Sequence, residues 1–459
     1  MRMPRVPARQ RRRCFAIMLS ARSTARHAIT TSRAPGNWNN SWTGRATRGT
    51  PARRSEQKGL GEKDMTGYFF IVCLGAVLTD LIKGLSANGT PPVLQRFSWQ
   101  MDLAHFMWSN ILFFRIAFVV AIAWIFFQLP VDARMGVLPG GIVLGALWGF
   151  VYWVFNRYWI GRFKFLPITQ KRFEGAASNK VGMKEQVLGI SHGGQHKAFP
   201  VNMLYYHHQI ADEVGGHPIW PTYCGLCNSG RIYDRLVDGK ALEFTLVGAV
   251  NYNATFRDHT TGSWWRQEVG DAIKGPMKGH AMEDMPCEQM SLESWLAKYP
   301  DSLVLQYDPT FQKQYAIRTA LLNYEVSLPG WHMQASPPLV VGVEVNDVAR
   351  AYDWDQLVKH RLVEDEVEGT PLLAVTDEDG DSAFVYERTV DGAVLTFERV
   401  KGGMKDGETG SSWDWFGRCT KGKLKGKTLT LLQGYKQYVR AWVTFHPDAT
   451  FYDFQNAGK

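Results

Sequence analysis

Two apolar runs set the first constraint on this chain. Phe106 to Leu129 is interrupted only by Ser109, Asn110, Arg115 and Gln128, and Val137 to Phe155 follows after the short turn Pro130 to Gly136. In lipid no water satisfies backbone N–H and C=O groups, so a run of about 20 apolar residues crosses a bilayer as a helix. Trp153, Tyr158 and Trp159 stand where an aromatic belt would lie. Tyr68 to Leu85 is a weaker third run, broken by Asp80 and Lys83, and reads as a signal anchor or a further span. Residues 65–160 are therefore expected to hold two or three transmembrane helices, at about 68–85, 106–129 and 137–155, with the lipid bilayer as partner. Buried core helices are the competing reading.

Charge bears on what else the chain can bind. The formal net charge is +9, but residues 1–64 hold 13 Arg and 2 Lys against Glu56, Glu62 and Asp64, leaving −3 for residues 65–459. The basic balance belongs to the tail, and nucleic-acid binding loses its support. Rich in Arg, Ser and Thr and without an apolar period, residues 1–64 read as a disordered basic tail, a transit peptide or translation upstream of Met65. Arg157, Arg162, Lys164, Lys171 and Arg172 place the following domain in the cytoplasm by the positive-inside rule. The basic tail pulls the other way across three spans, so an integral membrane protein is expected with its soluble side undecided.

From Val187 onward short β-rich runs alternate with Gly, Asp-Gly and Pro punctuation. The fold class expected is mainly β (α+β), with short helices at Glu293 to Tyr299 and Tyr435 to Thr444. A shift of 153 residues aligns Val187–Phe244 with Val340–Phe397 without a gap. It pairs Gly189 with Gly342, His207 with His360, DEVGGHP with DEVEGTP, and SGRIYDRLVDG with SAFVYERTVDG; further on TGS at Thr261 meets TGS at Thr409, and Trp295 meets Trp442. The soluble region reads as one module twice: a linker over 161–186, copy one over 187–308, a linker over 309–339, and a degenerate copy two over 340–459.

The duplication singles out one loop. Of six cysteines only Cys224 and Cys227 are close, in WPTYCGLCNSGRIYDR; copy two has DEDGDSA where copy one has CGLCNSG. The module does not need the cysteines to fold, so they ask for a chemical reason. One reading is a reversible thiol pair on a β-turn; a thioredoxin-like helix is disfavoured by Asn228-Ser229-Gly230 after the second cysteine. The other is a metal knuckle for zinc or copper, with ligands Cys224, Cys227, His207 and His208, and Cys287 as a further thiolate to weigh against an inert buried cysteine. His207 faces His360 in copy two and has an architectural reading as well; His208 faces Arg361. A second dense stretch, Phe256 to Gly279, suggests a pocket formed by Asp258, His259, Trp265 and Gln267 with Arg235, against the alternative of a β-meander. Asp258, His259 and Gln267 show no clear counterpart in copy two.

HHQIADEVGGHPIWPTYCGLCNSG, then YDR, then TTGSWWRQEVGDAIKGPMKG resembles domain-of-unknown-function family 3179, closely over Val187 to Tyr307 and faintly over copy two. The likeness rests on His207, Gly215, Gly216, Tyr223, Cys224, Cys227, Asp234, Arg235, Thr261, Gly262, Ser263, Trp265, Gln267, Gly270, Gly275, Pro276 and Gly279. Gly225 stands where the family pattern has Pro, and His208 where it has an acidic residue, which moves weight from His208 to His207. The resemblance implies export or membrane attachment and brings no activity. No Ser-His-Asp order, phosphate loop or dinucleotide fingerprint points to a standard enzyme class. The expectation is a membrane-anchored protein that binds a metal or cycles a thiol pair at the Cys-x-x-Cys hairpin. The alternative is a non-catalytic interaction module stiffened by structural zinc, its protein partner unknown.

Overall fold

A computed structural model describes residues 61–88, 97–158, 165–321, 326–328, 331–333 and 337–455. The basic-tail reading concerns residues 1–64 and lies almost wholly outside them. Three helices come first: α1 (Glu62–Asn88), α2 (Ser98–Gln128) and α3 (Val131–Trp153), the last continued by a π turn at Val154–Tyr158. All three are long and apolar enough to cross a membrane. Leu112, Phe113, Ile116, Val120 and Phe127 point outward with more than half their surface exposed, an apolar patch that water would not tolerate.

At 31 residues α2 is longer than expected, about 46 Å at 1.5 Å per residue, and exceeds a hydrocarbon core of about 30 Å. Its first turns leave the bundle to meet the β region. Met101, Ala104 and Trp108 join Ala87 of α1 in a cluster with Val247, Val250 and Trp264, and Asp102 pairs with Lys274. The β region thus rests on the end of the bundle where α1 finishes and α2 begins, opposite Glu62. Gly248 allows this approach, because a Cβ there would collide with the Ala87 carbonyl. Inside the bundle the buried Asp80 carboxylate accepts from Arg115 Nε at 3.2 Å and Trp148 Nε1 at 2.7 Å. Pairing of this kind makes a charge tolerable among apolar helices.

Two runs of β elements follow in one order. The first has a sheet with strand order Phe173–Glu174, Leu303–Leu305, Gln195–Pro200, Gln186–His192, Cys287–Ser291. The second repeats its last four members as Thr450–Phe451, Val348–Asp353, Leu339–Val345, Gly434–Tyr438, including the single parallel contact. Each run adds a sheet built on a central hairpin, His217–Cys224 with Ser229–Asp234 and Thr370–Thr376 with Ala383–Glu387. Each also adds a four-stranded meander, over 244–274 and 397–421. Gly189 lies under Trp295 and Gly342 under Trp442 so closely that a Cβ at either position would strike the indole.

The two runs are interlocked. Met290, Leu292, Trp295 and Val304 of the first pack in one core with Leu373, Tyr386, Phe397 and Trp413 of the second. Reciprocally, Ala441 and Phe445 of the second pack with Trp220, Cys224, Cys227 and Trp265 of the first.

Several boundaries differ from the sequence reading. The segments expected as linkers are packed where described: Phe173–Glu174 is an edge strand, and Pro309–Leu321 forms a 3₁₀ turn and a helix that contribute Phe311 and Tyr315 to a core cluster. Helix Leu292–Lys298 falls where expected, but Gly434–Tyr438 is a strand and the helix begins only at Val439. Its pairing along Leu339–Val343 supplies the reason: a ladder with a neighbouring edge overrides local helix preference.

Candidate functional site

The cysteine loop closes the hairpin His217–Cys224 / Ser229–Asp234, whose last pair is Cys224 with Ser229. Cys227 N donates to Cys224 O at 3.1 Å, and Asn228 takes a left-handed φ of 56° that Asn tolerates. Both thiols are buried and free. A second hairpin lies over them, turning at Asn251 and Tyr252 with φ of 49° and 59°, the signature of a two-residue type I′ turn. A tyrosine in this region costs about 1 kcal/mol or more. Here its carbonyl stands 3.2 Å from Cys227 Sγ and 3.8 Å from Cys224 Sγ.

The two sulfurs are electrostatically unequal. Burial pushes the Cys224 thiol up, but the Cys227 side chain and the backbone N–H groups of Ala254, Cys227 and Leu226 outweigh it, so Cys224 titrates below its ordinary value; Ala254 N lies 3.4 Å from the sulfur. Cys227 is held well above its ordinary value by burial, by Cys224 and by the nearby Glu268 carboxylate. Of the two, Cys224 is the sulfur whose ionisation these donors favour.

The loop of the second run also gathers N–H groups around an anion, from other positions: Asp381 and Ser382 stand opposite Asn228 and Ser229, not opposite Leu226 and Cys227. Asp377 stands one residue beyond the pair Thr376–Ala383, as Cys224 stands one beyond Tyr223–Gly230. Asp377 Oδ1 accepts from the N–H groups of Asp381 at 3.0 Å and Ser382 at 3.1 Å, and Oδ2 from Ser294 Oγ at 2.8 Å.

Behind Cys227 runs a buried polar network. Asn253 Nδ2 donates to Cys227 Sγ at 3.3 Å and to Gln267 Oε1 at 3.0 Å, while Asn253 Oδ1 accepts from Glu268 N at 3.0 Å. Gln267 Nε2 reaches Thr222 Oγ1 and the Ser229 carbonyl, both at 3.2 Å. Arg231 donates to Glu268 at 2.7 Å and to Asp284 at 3.0 Å, and its guanidinium lies 3.3 Å from the centre of the Tyr435 ring.

Of the sequence-predicted residues, the structure brings Cys224, Cys227 and Gln267 together, with Trp265 in the same core cluster. The other proposed ligands do not join them, and the set Cys224, Cys227, His207, His208 is corrected on this point. His207 sits in a separate core among Tyr206, Phe311 and Tyr315, with Nε2 2.6 Å from Tyr315 Oη and Nδ1 against the Leu166 carbonyl. Burial there lowers its pKa. His208 is the left-handed C-cap of helix Val201–His207, the role Arg361 has after Trp354–His360. Cys287 belongs to the core of His207 and burial pushes it up to about 12. Among the described residues no group of three or more His, Cys, Asp or Glu is placed to hold a metal.

The expected pocket also dissolves. Asp258 Oδ2 accepts from Trp265 Nε1 at 2.9 Å, and Asp406 Oδ2 accepts from Trp413 Nε1 at 2.9 Å, each aspartate also holding the TGS turn beside it. Asp258 therefore has a counterpart after all, hidden by a five-residue change of register between the two meanders. Arg235 binds the Leu242 carbonyl as Arg388 binds that of Leu395, and His259 is a half-exposed partner of Thr245. Sequence reasoning missed Asn253, Arg231 and Glu268. One signal was in plain view: SGRIYDR against SAFVYER already sets Arg231 opposite Phe384.

A family model described as a protein of unknown function (DUF3179) matches residues 166–449. The chain belongs to the DUF3179 family. The DUF3179 match runs through both sets of elements, beyond the close likeness expected for the first alone, in keeping with their shared core. No curated protein and no solved structure matches.

Proposed function

We propose that this DUF3179 protein is a membrane-attached thiol protein: its three helices hold it in a bilayer, and Cys224 and Cys227 exchange between dithiol and disulfide. The observation that carries the reading is the placing of Cys224: Ala254 N lies 3.4 Å from its sulfur and backbone N–H groups lower its thiol, at the hairpin position where the other run holds the Asp377 carboxylate by N–H groups of its own. A position that favours negative charge in both runs is suited to a nucleophilic sulfur. In the exchange Cys224 attacks one sulfur of a substrate disulfide and expels the other as a thiolate. Cys227 then attacks Cys224 Sγ and releases the second substrate thiolate. A closed zinc site needs four ligands, and His207, the strongest histidine candidate, is committed elsewhere. The set of elements at 339–451 serves as scaffold and cover.

Access passes the cover. Arg440 donates to the Leu226 carbonyl at 3.1 Å and lies 4.4 Å from the Tyr252 ring centre, tying helix Val439–Phe445 across the cysteine loop. Arg440→Ala removes one hydrogen bond and one cation–π contact, worth about 1.5 kcal/mol together, and is expected to speed alkylation of Cys224 roughly tenfold. Peptide mass mapping against time measures it.

The reading is tested by equilibrating the full chain, in detergent, with glutathione buffers of graded potential and alkylating the remaining thiols. The expected result is joint loss of Cys224 and Cys227 in one two-electron transition, while Cys287 and Cys419 stay reduced. Independent alkylation of the two cysteines at every potential would sink it. Zinc or copper bound stoichiometrically, and lost together with the fold in Cys224→Ser, would replace it by a structural knuckle.

A further inference from the structure

The Arg231–Glu268 pair behind Cys227 has no counterpart among the described residues of the other run. Arg231 pairs across its hairpin with Thr222, as Phe384 pairs with Val375. Glu268 follows three residues after the indole that binds Asp258, as Phe416 follows three after the indole that binds Asp406. Where one run has the Arg231–Glu268 ion pair, the other has Phe384 against Phe416, ring centres 5.8 Å apart and edge to face. In the same comparison Gln267 becomes Trp415, Cys224 becomes Asp377 and Cys227 becomes Gly380. The meander and hairpin therefore close around an apolar pair as well as around an ionic one. Since a buried ion pair contributes little beyond an apolar replacement of similar size, the charges beside the thiols call for another role.

Their geometry supplies one. Glu268 is fully buried; Oε1 receives Arg231, while Oε2 has no protein hydrogen-bond partner among the described residues. Ser229 Oγ, Arg231 Nε and both ends of the Gln437 amide are likewise buried without one. Ser229 and Arg231 share a strand face, as do Tyr435 and Gln437 on the strand whose Tyr435 stacks on Arg231. Unpaired polar groups gathered in this way are where proteins hold hydration water. The site lies directly behind Cys227, bridged to it by the Asn253 amide, which bonds the sulfur on one side and the Glu268 N–H on the other.

We propose that Glu268 is the proton acceptor for Cys227 in the resolving step of disulfide exchange, an inference that rests on the thiol-cycling reading above. In that step Cys227 Sγ forms a bond to Cys224 Sγ and the electron pair of the mixed disulfide leaves with the substrate sulfur. The Cys227 proton passes through water held among the orphaned groups to Glu268 Oε2. Arg231 positions the carboxylate, and Asp284, one-third exposed and bonded to both Arg231 and Tyr435 Oη, carries the network to the surface. The titratable and charged groups that face the site are Cys224, Arg231, Tyr233, Asp284, Cys287, Glu344 and Tyr435.

The test is the reaction of the full chain with 5,5′-dithiobis(2-nitrobenzoate), followed by release of thionitrobenzoate between pH 6 and pH 10. Attack by Cys224 releases one equivalent, and resolution by Cys227 releases a second. In Glu268→Gln the ratio of the second rate to the first is expected to fall about 100-fold at pH 7, the usual range of a lost proton acceptor. The gap should close at the alkaline end, where hydroxide deprotonates Cys227, and Glu268→Asp should recover part of the ratio. Because Glu268→Gln leaves Arg231 short of a partner, R231F/E268F, which copies the apolar pair of the other run, is the second variant and should show the same slow, strongly pH-dependent second phase. A parent protein with two phases whose ratio is unchanged in both variants overturns the proposal alone. A parent that never releases a second equivalent overturns the thiol-cycling reading, and this proposal with it.

Discussion

Cys224→Ser is expected to abolish disulfide exchange by the purified protein, because a serine hydroxyl does not ionise to a nucleophile as a thiol does, while Cys227→Ser stalls after one turnover as a mixed disulfide on Cys224. The asymmetry follows from the cradle. Three N–H groups and the neighbouring thiol converge on Cys224, whereas Cys227 faces the Tyr252 carbonyl and a carboxylate network that oppose its ionisation. The sign of the pH dependence follows as well. Attack by Cys224 persists below the pH at which an ordinary thiol falls silent, and resolution by Cys227 gains as pH rises. Both variants should fold, because the other run closes the same loop with Asp377 and Gly380. Intact mass after reaction with glutathione disulfide decides the matter: a stable 1:1 adduct on Cys227→Ser and none on Cys224→Ser is the expected pair. Adducts of equal yield on both would show that the two sulfurs are interchangeable.

The second large effect concerns stability. Arg231→Phe alone is expected to destabilise the β region by about 3–5 kcal/mol, the usual consequence of leaving a buried carboxylate without its partner. R231F/E268F should recover most of that loss, because Phe384 and Phe416 already form this pair within the same architecture. The coupling between the two sites, read from a double-mutant cycle on denaturant unfolding in detergent, should be large and favourable. A double variant as unstable as the single one would mean that the first run has come to depend on its ion pair.

Much of the architecture was legible in the chain itself. The runs at 106–129 and 137–155 have no stable option in lipid but helices, and their outward Leu112, Phe113 and Val120 bear that out in form. Asp-Gly and Gly-Gly turns punctuating alternating strands marked the hairpins, since only left-handed or glycine backbone closes them: Gly193, Gly215, Gly239 and Gly392 all have positive φ. The cysteine loop stood out because the other run dispenses with it.

What the sequence determined by itself is therefore local: which segments can satisfy their backbone as helix or strand, where they turn, and which two sulfurs stand three residues apart. What only the tertiary structure decided is who stands beside those sulfurs. Asn253 reaches Cys227, and Glu268 reaches Asn253, because the meander folds over the hairpin; Tyr435 reaches Arg231, and Arg440 the Leu226 carbonyl, because the far end of the chain packs against the first run. His207, only 17 residues before Cys224 in sequence, is carried into another core by the helix that holds it. The physical reason is that strand and helix periods settle the face on which a side chain lies. They leave open which sheet that face will meet, and a buried polar network is closed by groups from elements far apart along the chain.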